Sequence, residues 1–316
     1  MTNWPIDLPE SFSRFVKPRM PHAKSTLEDL RRYYGEMTRR FAPAPEGVAV
    51  ERAVLGQIRG EWVYSGDANP QRIILYFHGG GYISGSPETH RPLVSRLCKA
   101  SGAAALSLEY RLGPEFPYPA ALRDAVDAYR MLLNKDVPAH SIVLAGDGSG
   151  GGLAFATLLA IRNGGFPMPA ACIAMSPWAD LTLTGWSILE NARKDTMLNW
   201  ELLFLTARHY MQKGIPADIY ASPVFANFRD LPPIMVHAGS QEILRDDASR
   251  IGDLAAAANI PVSVEIYDGM QHLFQAFGDA SSATVSLNRL GQFIRARTQP
   301  SANASLRPAV AGARRD

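Results

Sequence analysis

Apolar positions follow two rhythms along the chain. Between Thr26 and Phe41 they recur at three- and four-residue steps through Leu27, Leu30, Tyr34, Met37 and Phe41. That spacing predicts an amphipathic helix, ended by Pro43 and Pro45. From Val48 onward, short and nearly continuous apolar runs at 73–77, 104–108, 142–145, 171–175, 234–237 and 262–266 alternate with helical stretches. Runs of this length without a polar face suit strands buried on both sides, and the helices between them predict βαβ crossovers and a mostly parallel sheet. Residues 184–216 break the alternation. They are helical in pattern and carry Trp186, Leu189, Met197, Trp200, Leu203, Phe204, Tyr210 and Met211, so they read as an insertion. The segment 299–316 is Ala, Ser, Pro and Arg without period and reads as a disordered tail.

Composition narrows the class. The chain has 316 residues, 47% of them hydrophobic and 20% charged, which is ordinary for a globular protein with ample core. A formal net charge of +2 makes no case for nucleic acid or an anionic membrane. The opening residues MTNWPIDLPESF lack a basic segment followed by an apolar run, so no signal peptide is expected, and no apolar stretch approaches the roughly 18 residues of a membrane helix. Cys98 and Cys172 both sit in apolar runs and read as buried free thiols in a reducing cytoplasm. Neither has the spacing of a metal site, and no metal or cofactor is expected.

Two glycine-rich stretches carry the candidate chemistry. His78-Gly79-Gly80-Gly81-Tyr82 follows a predicted buried strand. Consecutive glycines let backbone N–H groups turn into a site with no side chains in the way, as donors to an oxyanion must. The second stretch, Gly146-Asp147-Gly148-Ser149-Gly150, lies between a predicted strand and a predicted helix. That is the setting of a nucleophile elbow, which needs small residues two before and two after its tip. Centred on Gly148, those neighbours are Gly146 and Gly150. Centred on Ser149, they are Asp147 and Gly151, and Asp147 is too large. The tip therefore falls on Gly148, which has no hydroxyl, and Ser149 is the alternative nucleophile. The same run matches G-x-G-x-x-G, but the following strand ends Met175-Ser176-Pro177-Trp178 without the acidic residue that a dinucleotide site uses. His272 follows the last predicted strand, and Glu242 follows the strand ending at His237. Both come after the elbow in acid-then-base order. Asp246 and Asp247 are rival acids, better placed for the start of the next helix.

These motifs resemble the hormone-sensitive-lipase-like α/β-hydrolases, the bacterial family IV esterases. HGGGY at 78–82, Tyr110-Arg111-Leu112-Gly113-Pro114-Glu115, Ser176-Pro177-Trp178, Ser222-Pro223, the stretch 242–247 and the G-M-x-H-x-F pattern around His272 carry the likeness from about Ile73 to Gln275. Glu242 replaces the family's usual Asp, and G-D-G-S-G-G replaces its G-D-S-A-G-G. The resemblance implies an α/β-hydrolase fold with a mostly parallel eight-stranded sheet and a helical cap. Residues 1–45 would start the cap, 46–298 would form the catalytic domain with 184–216 as the second cap segment, and 299–316 the tail.

It also implies carboxylic ester hydrolysis through an acyl-enzyme. Glu242 and His272 would be acid and base, Gly79, Gly80 and Ser149 the oxyanion donors, and Asp147 a brace for the turn. The substrate would be a small ester with a short acyl chain, in a pocket of cap aromatics such as Phe12, Phe15, Trp186 and Phe204. A homodimer is compatible with the family. The glycine at 148 leaves three readings open: an inactivated variant of a serine enzyme, a catalyst shifted to Ser149, or a non-catalytic small-molecule binder on the same fold.

Overall fold

The computed structural model describes residues 20–278 and 281–298. Of the expected N-terminal cap part at 1–45, residues 1–19 with Phe12 and Phe15 lie outside the described residues, as does the expected tail at 299–316. Eight strands form one sheet in the order β1-β2-β4-β3-β5-β6-β7-β8. β1 (Val48–Leu55) and β2 (Ile58–Ser65) make an antiparallel hairpin, and β2 runs antiparallel to β4 (Ala103–Glu109). The remaining strands are β3 (Asn69–Phe77), β5 (Ile142–Asp147), β6 (Ala171–Met175), β7 (Ile234–Gly239) and β8 (Val262–Tyr267), and from β4 across to β8 all pairings are parallel.

The six apolar runs of the sequence are the six parallel strands. β5 and β6 are buried at every residue, as strands covered on both faces must be. The hairpin was not marked by such runs, because β1 is mostly exposed and buries only Ala53 and Leu55, with Val48 partly buried against the core.

Helix α1 (Leu27–Thr38) starts at a capping box in which Thr26 and Asp29 satisfy each other's backbone N–H groups. Its buried side, Leu30, Tyr33 and Tyr34, faces the rest of the fold. α2 (Pro87–Ser101), α3 (Ala120–Leu133) and α4 (Ser149–Asn163) belong to the crossovers between strands. The insertion contains the short α5 (Ser187–Glu190) and α6 (Trp200–Met211). α7 (Arg245–Ala257) joins β7 to β8, and α8 (Ser281–Arg297) packs on α2. Arg31 of α1 reaches the carbonyls of Ile83 and Gly113 and pairs with Glu115, which fixes α1 over the C-terminal ends of β3 and β4. Among the described residues no helix is long and apolar enough to cross a membrane.

Candidate active site

The elbow is built by sterics. β5 ends at Asp147, α4 starts at Ser149, and Gly148 between them has φ +50° and ψ −122°. L-residues adopt that region rarely. Its N–H donates to Met175 O at 3.0 Å and its carbonyl accepts from Trp178 N at 2.8 Å, so the turn is held from β6 and the loop after it. A Cβ at Gly146 would collide with the Gly150 backbone, and one at Gly150 with the carbonyls of Phe77 and His78. Small residues are thus required on both sides of position 148. A Cβ placed on Gly148 itself would lie 3.5 Å from His272 Nε2 and 3.9 Å from Gly79 Cα, in ordinary contact.

Ser149 is turned elsewhere. Its hydroxyl accepts from the Tyr82 N–H at 3.3 Å and neighbours the Tyr110 hydroxyl, and the residue is 2% exposed. One residue into a helix is a rotation of about 100°, which accounts for the different direction.

His272 follows β8, and its Nδ1 lies 2.8 Å from Glu242 Oε2. The other Glu242 oxygen accepts from the Gly239 N–H and from Ser176 Oγ. Ser176 Oγ in turn accepts from the Leu273 N–H at 3.0 Å, so one hydroxyl ties Glu242 to the loop of His272. Burial disfavours the His272 imidazolium, but the Glu242 carboxylate, with Asp195 and Asp147 behind it, outweighs burial and holds its pKa above the ordinary value. The rival acids go elsewhere. Asp247 accepts from the N–H groups of Ala179 and Asp180, and Asp246 from that of Ser187. They occupy the first turn of α7, yet they tie it to the loop after β6 and to α5 rather than capping it.

The glycine loop 78–81 differs from expectation at one donor. Gly79 N–H is committed to Asp147 Oδ1 at 3.1 Å, so it is not free for an oxyanion. The N–H groups of Gly80, Gly81 and Ser149 donate to no group among the described residues, and all three residues line the same cavity as His272. Asp147 also accepts from the Tyr76 hydroxyl and lies 3.4 Å from His90 Nε2. Burial would raise the Asp147 carboxyl; His90, the Tyr76 hydrogen bond and His78 more than offset it, and its pKa is lowered. His78 stacks on Tyr110 at 4.2 Å, and burial drives its pKa down to about 3, so the ring is neutral and structural. His90 did not stand out in the sequence, and a lone histidine inside a helix gives no signal for its contact with Asp147.

Asp195, in the insertion, was also not singled out. It accepts from the N–H groups of Met197, Leu198 and Ile243, the last next to Glu242. Burial pushes its carboxyl up to about 6 against those hydrogen bonds.

Over the elbow lies a cavity of about 40 Å³. Its floor is Gly79, Gly80, Gly148, Ser149 and His272, and its roof includes Tyr34, Met37, Met197, Leu198 and Leu203. Trp186 and Phe204, expected in the pocket, are 68% and 38% exposed and do not line it; Phe204 stacks on Trp200 at the surface. Their apolar character says nothing about direction, and α6 turns Leu203 inward and Phe204 outward.

A family model described as the α/β-hydrolase fold matches residues 74–276. An acetyl-hydrolase of Streptomyces hygroscopicus is 42% identical over 70% of this chain and 73% of its own length. An esterase of Acinetobacter venetianus is 36% identical over 75% of this chain and 78% of its own. The crystal structure of an esterase from the bacterial hormone-sensitive lipase family superposes with a TM-score of 0.84 at 37% identity, covering 89% of this chain and 94% of that one.

Proposed function

The chain belongs to the α/β-hydrolases of the bacterial hormone-sensitive-lipase group, which hydrolyse carboxylic esters, and we propose that its acyl-transfer centre is position 148, served by His272 and Glu242. One observation carries this reading: a Cβ at 148 faces His272 Nε2 at 3.5 Å, while the Ser149 hydroxyl is taken by the Tyr82 N–H. With serine at 148, its oxygen attacks the ester carbonyl and His272 takes the proton and returns it to the leaving alcohol. Glu242 holds the imidazole tautomer and supports its cation. The N–H groups of Gly80, Gly81 and residue 149 receive the oxyanion, each such donor being worth about 3 kcal/mol in known cases.

The substrate side of the proposal is a small ester with a short acyl group. A cavity of about 40 Å³, roofed by α1 and the insertion as a cap, has room for little more. The buried free thiols Cys98 and Cys172 fit a cytoplasmic setting. As written, the chain lacks the oxygen that forms an acyl-enzyme. That favours a second reading, a binder of small esters that keeps the oxyanion donors without covalent chemistry.

Comparison of the chain with its Gly148→Ser variant on p-nitrophenyl acetate tests the reading. Turnover should rise by about 10³-fold or more, given what triad serines contribute elsewhere. An organophosphonate should label residue 148 of the variant. Labelling of Ser149 in the chain as written, with turnover lost on Ser149→Ala, would place the nucleophile one residue later and overturn the proposal.

A further inference from the structure

We propose that the chain with Gly148 is itself a slow hydrolase of small activated esters, in which a water molecule held by His272 attacks the carbonyl directly and no acyl-enzyme forms. This rests on the placement of position 148 as the elbow tip. The geometry at that tip provides both room and a base. Around the point where a Cβ would stand, the nearest heavy atoms outside residues 147–149 are His272 Nε2 at 3.5 Å, His272 Cε1 at 3.8 Å and Gly79 Cα at 3.9 Å. That space is lined by the same residues as the 40 Å³ cavity above it. A water needs about 10–15 Å³, so the cavity holds one with space left over.

The base is already poised. Nδ1 of His272 faces Glu242 Oε2 at 2.8 Å, so in the neutral ring Nδ1 carries the hydrogen and Nε2 presents its lone pair toward position 148. A water donating to Nε2 at hydrogen-bond distance occupies the region a serine oxygen would fill. The N–H groups of Gly80, Gly81 and Ser149, without an acceptor among the described residues, belong to residues lining the same cavity, where they can receive the carbonyl oxygen.

The step balances without a co-reactant. The water oxygen bonds to the carbonyl carbon as its proton passes to Nε2, and the carbonyl π pair moves onto the oxygen held by the N–H groups. Collapse of the tetrahedral adduct breaks the bond to the leaving oxygen, which takes the proton back from Nε2. The products are the carboxylic acid and the alcohol. Triads stripped of a member keep about 10³–10⁴-fold over water through the oxyanion hole and binding, and a positioned general base contributes about 10²–10⁴-fold.

Stopped-flow hydrolysis of p-nitrophenyl acetate by the chain as written, its His272→Ala variant and its Glu242→Gln variant provides the test. Turnover should exceed buffer without a stoichiometric burst and fall about 10²-fold in His272→Ala, with return on added imidazole. Glu242→Gln should also slow it, which keeps the test open if the alanine variant does not fold. Rates should follow leaving-group acidity from p-nitrophenyl to phenyl acetate, because no shared deacylation step caps them. An organophosphonate should leave both mass and rate unchanged. Equal rates for the chain and both variants would overturn the direct-water step while leaving Gly148→Ser free to restore covalent catalysis. A burst with an adduct on Ser149 would overturn it by removing the elbow placement beneath it.

Discussion

Replacing Gly148 by alanine isolates the energetics of the elbow from its chemistry. At φ +50° and ψ −122° a residue with a Cβ pays of order 1–3 kcal/mol in backbone strain. No tertiary collision adds to this, since outside residues 147–149 the nearest heavy atom to the new methyl is His272 Nε2 at 3.5 Å. In the opposite direction, alanine restricts the unfolded chain, worth about 0.4–1 kcal/mol. Strain wins, with a net loss of about 1–2 kcal/mol, or about 1.5–3 °C in Tm for a chain of 316 residues. Urea unfolding and calorimetry of the purified proteins measure it. Gly35→Ala serves as the control. Gly35 is interior to α1, is not among the glycines of positive φ, and has nothing within 4 Å of an added Cβ. That variant should gain about 0.5–1 kcal/mol. If Gly148→Ala proved as stable as the parent, the turn would not be strained. A loss beyond about 4 kcal/mol would mean the methyl has no room, and the geometry assigned to the tip would be wrong.

In the Gly148→Ser background, Glu242→Gln should lower kcat by about 10²–10⁴, while Asp246→Asn should leave it near the parent value; the reverse ranking would name the wrong acid. The pH profile of the same serine variant has a definite sign. The proposed base role of His272 needs the neutral ring, so kcat/KM should rise with pH through a midpoint above the ordinary histidine value, because Glu242, Asp195 and Asp147 stabilise the cation. Glu242→Gln removes the largest raising influence and should move that midpoint down; titration of kcat/KM between pH 5 and pH 9 checks both. Leu203→Ala opens the roof of the cavity and should shift preference from acetate toward butyrate and hexanoate esters, at a stability loss of about 2–4 kcal/mol. An unchanged acyl profile would remove Leu203 from the acyl side.

Legibility in the sequence followed the physics of each element. The parallel strands were visible because burial on both faces leaves unbroken apolar runs, as at 142–145 and 171–175. The hairpin of β1 and β2 was not, because half-exposed strands mix Glu51, Arg52 and Glu61 with apolar neighbours. The position of the elbow tip followed from residue size alone, since Asp147 cannot sit where Gly146 does. The distribution of N–H groups in the glycine loop depended on a contact 68 residues away, between Gly79 and Asp147, which no local pattern contains. The pocket walls were misassigned for a related reason. The insertion is apolar on more than one side, so Trp186 and Phe204 resemble Leu203 in composition and differ only in the direction that packing gives them.

Asp195 gives the insertion a second significance. A single carboxylate carries the backbone of Met197 and Leu198, which form part of the cavity roof, and of Ile243, which adjoins Glu242, the proposed acid. Roof and Glu242 therefore share one anchor. By linkage, whatever free energy an acyl group exerts on the roof is felt in the alignment of Glu242, and the alignment of Glu242 is felt in how well that group is held. An acyl chain slightly too large for the cavity would then be discriminated against in the rate of proton transfer at His272 as well as in its affinity.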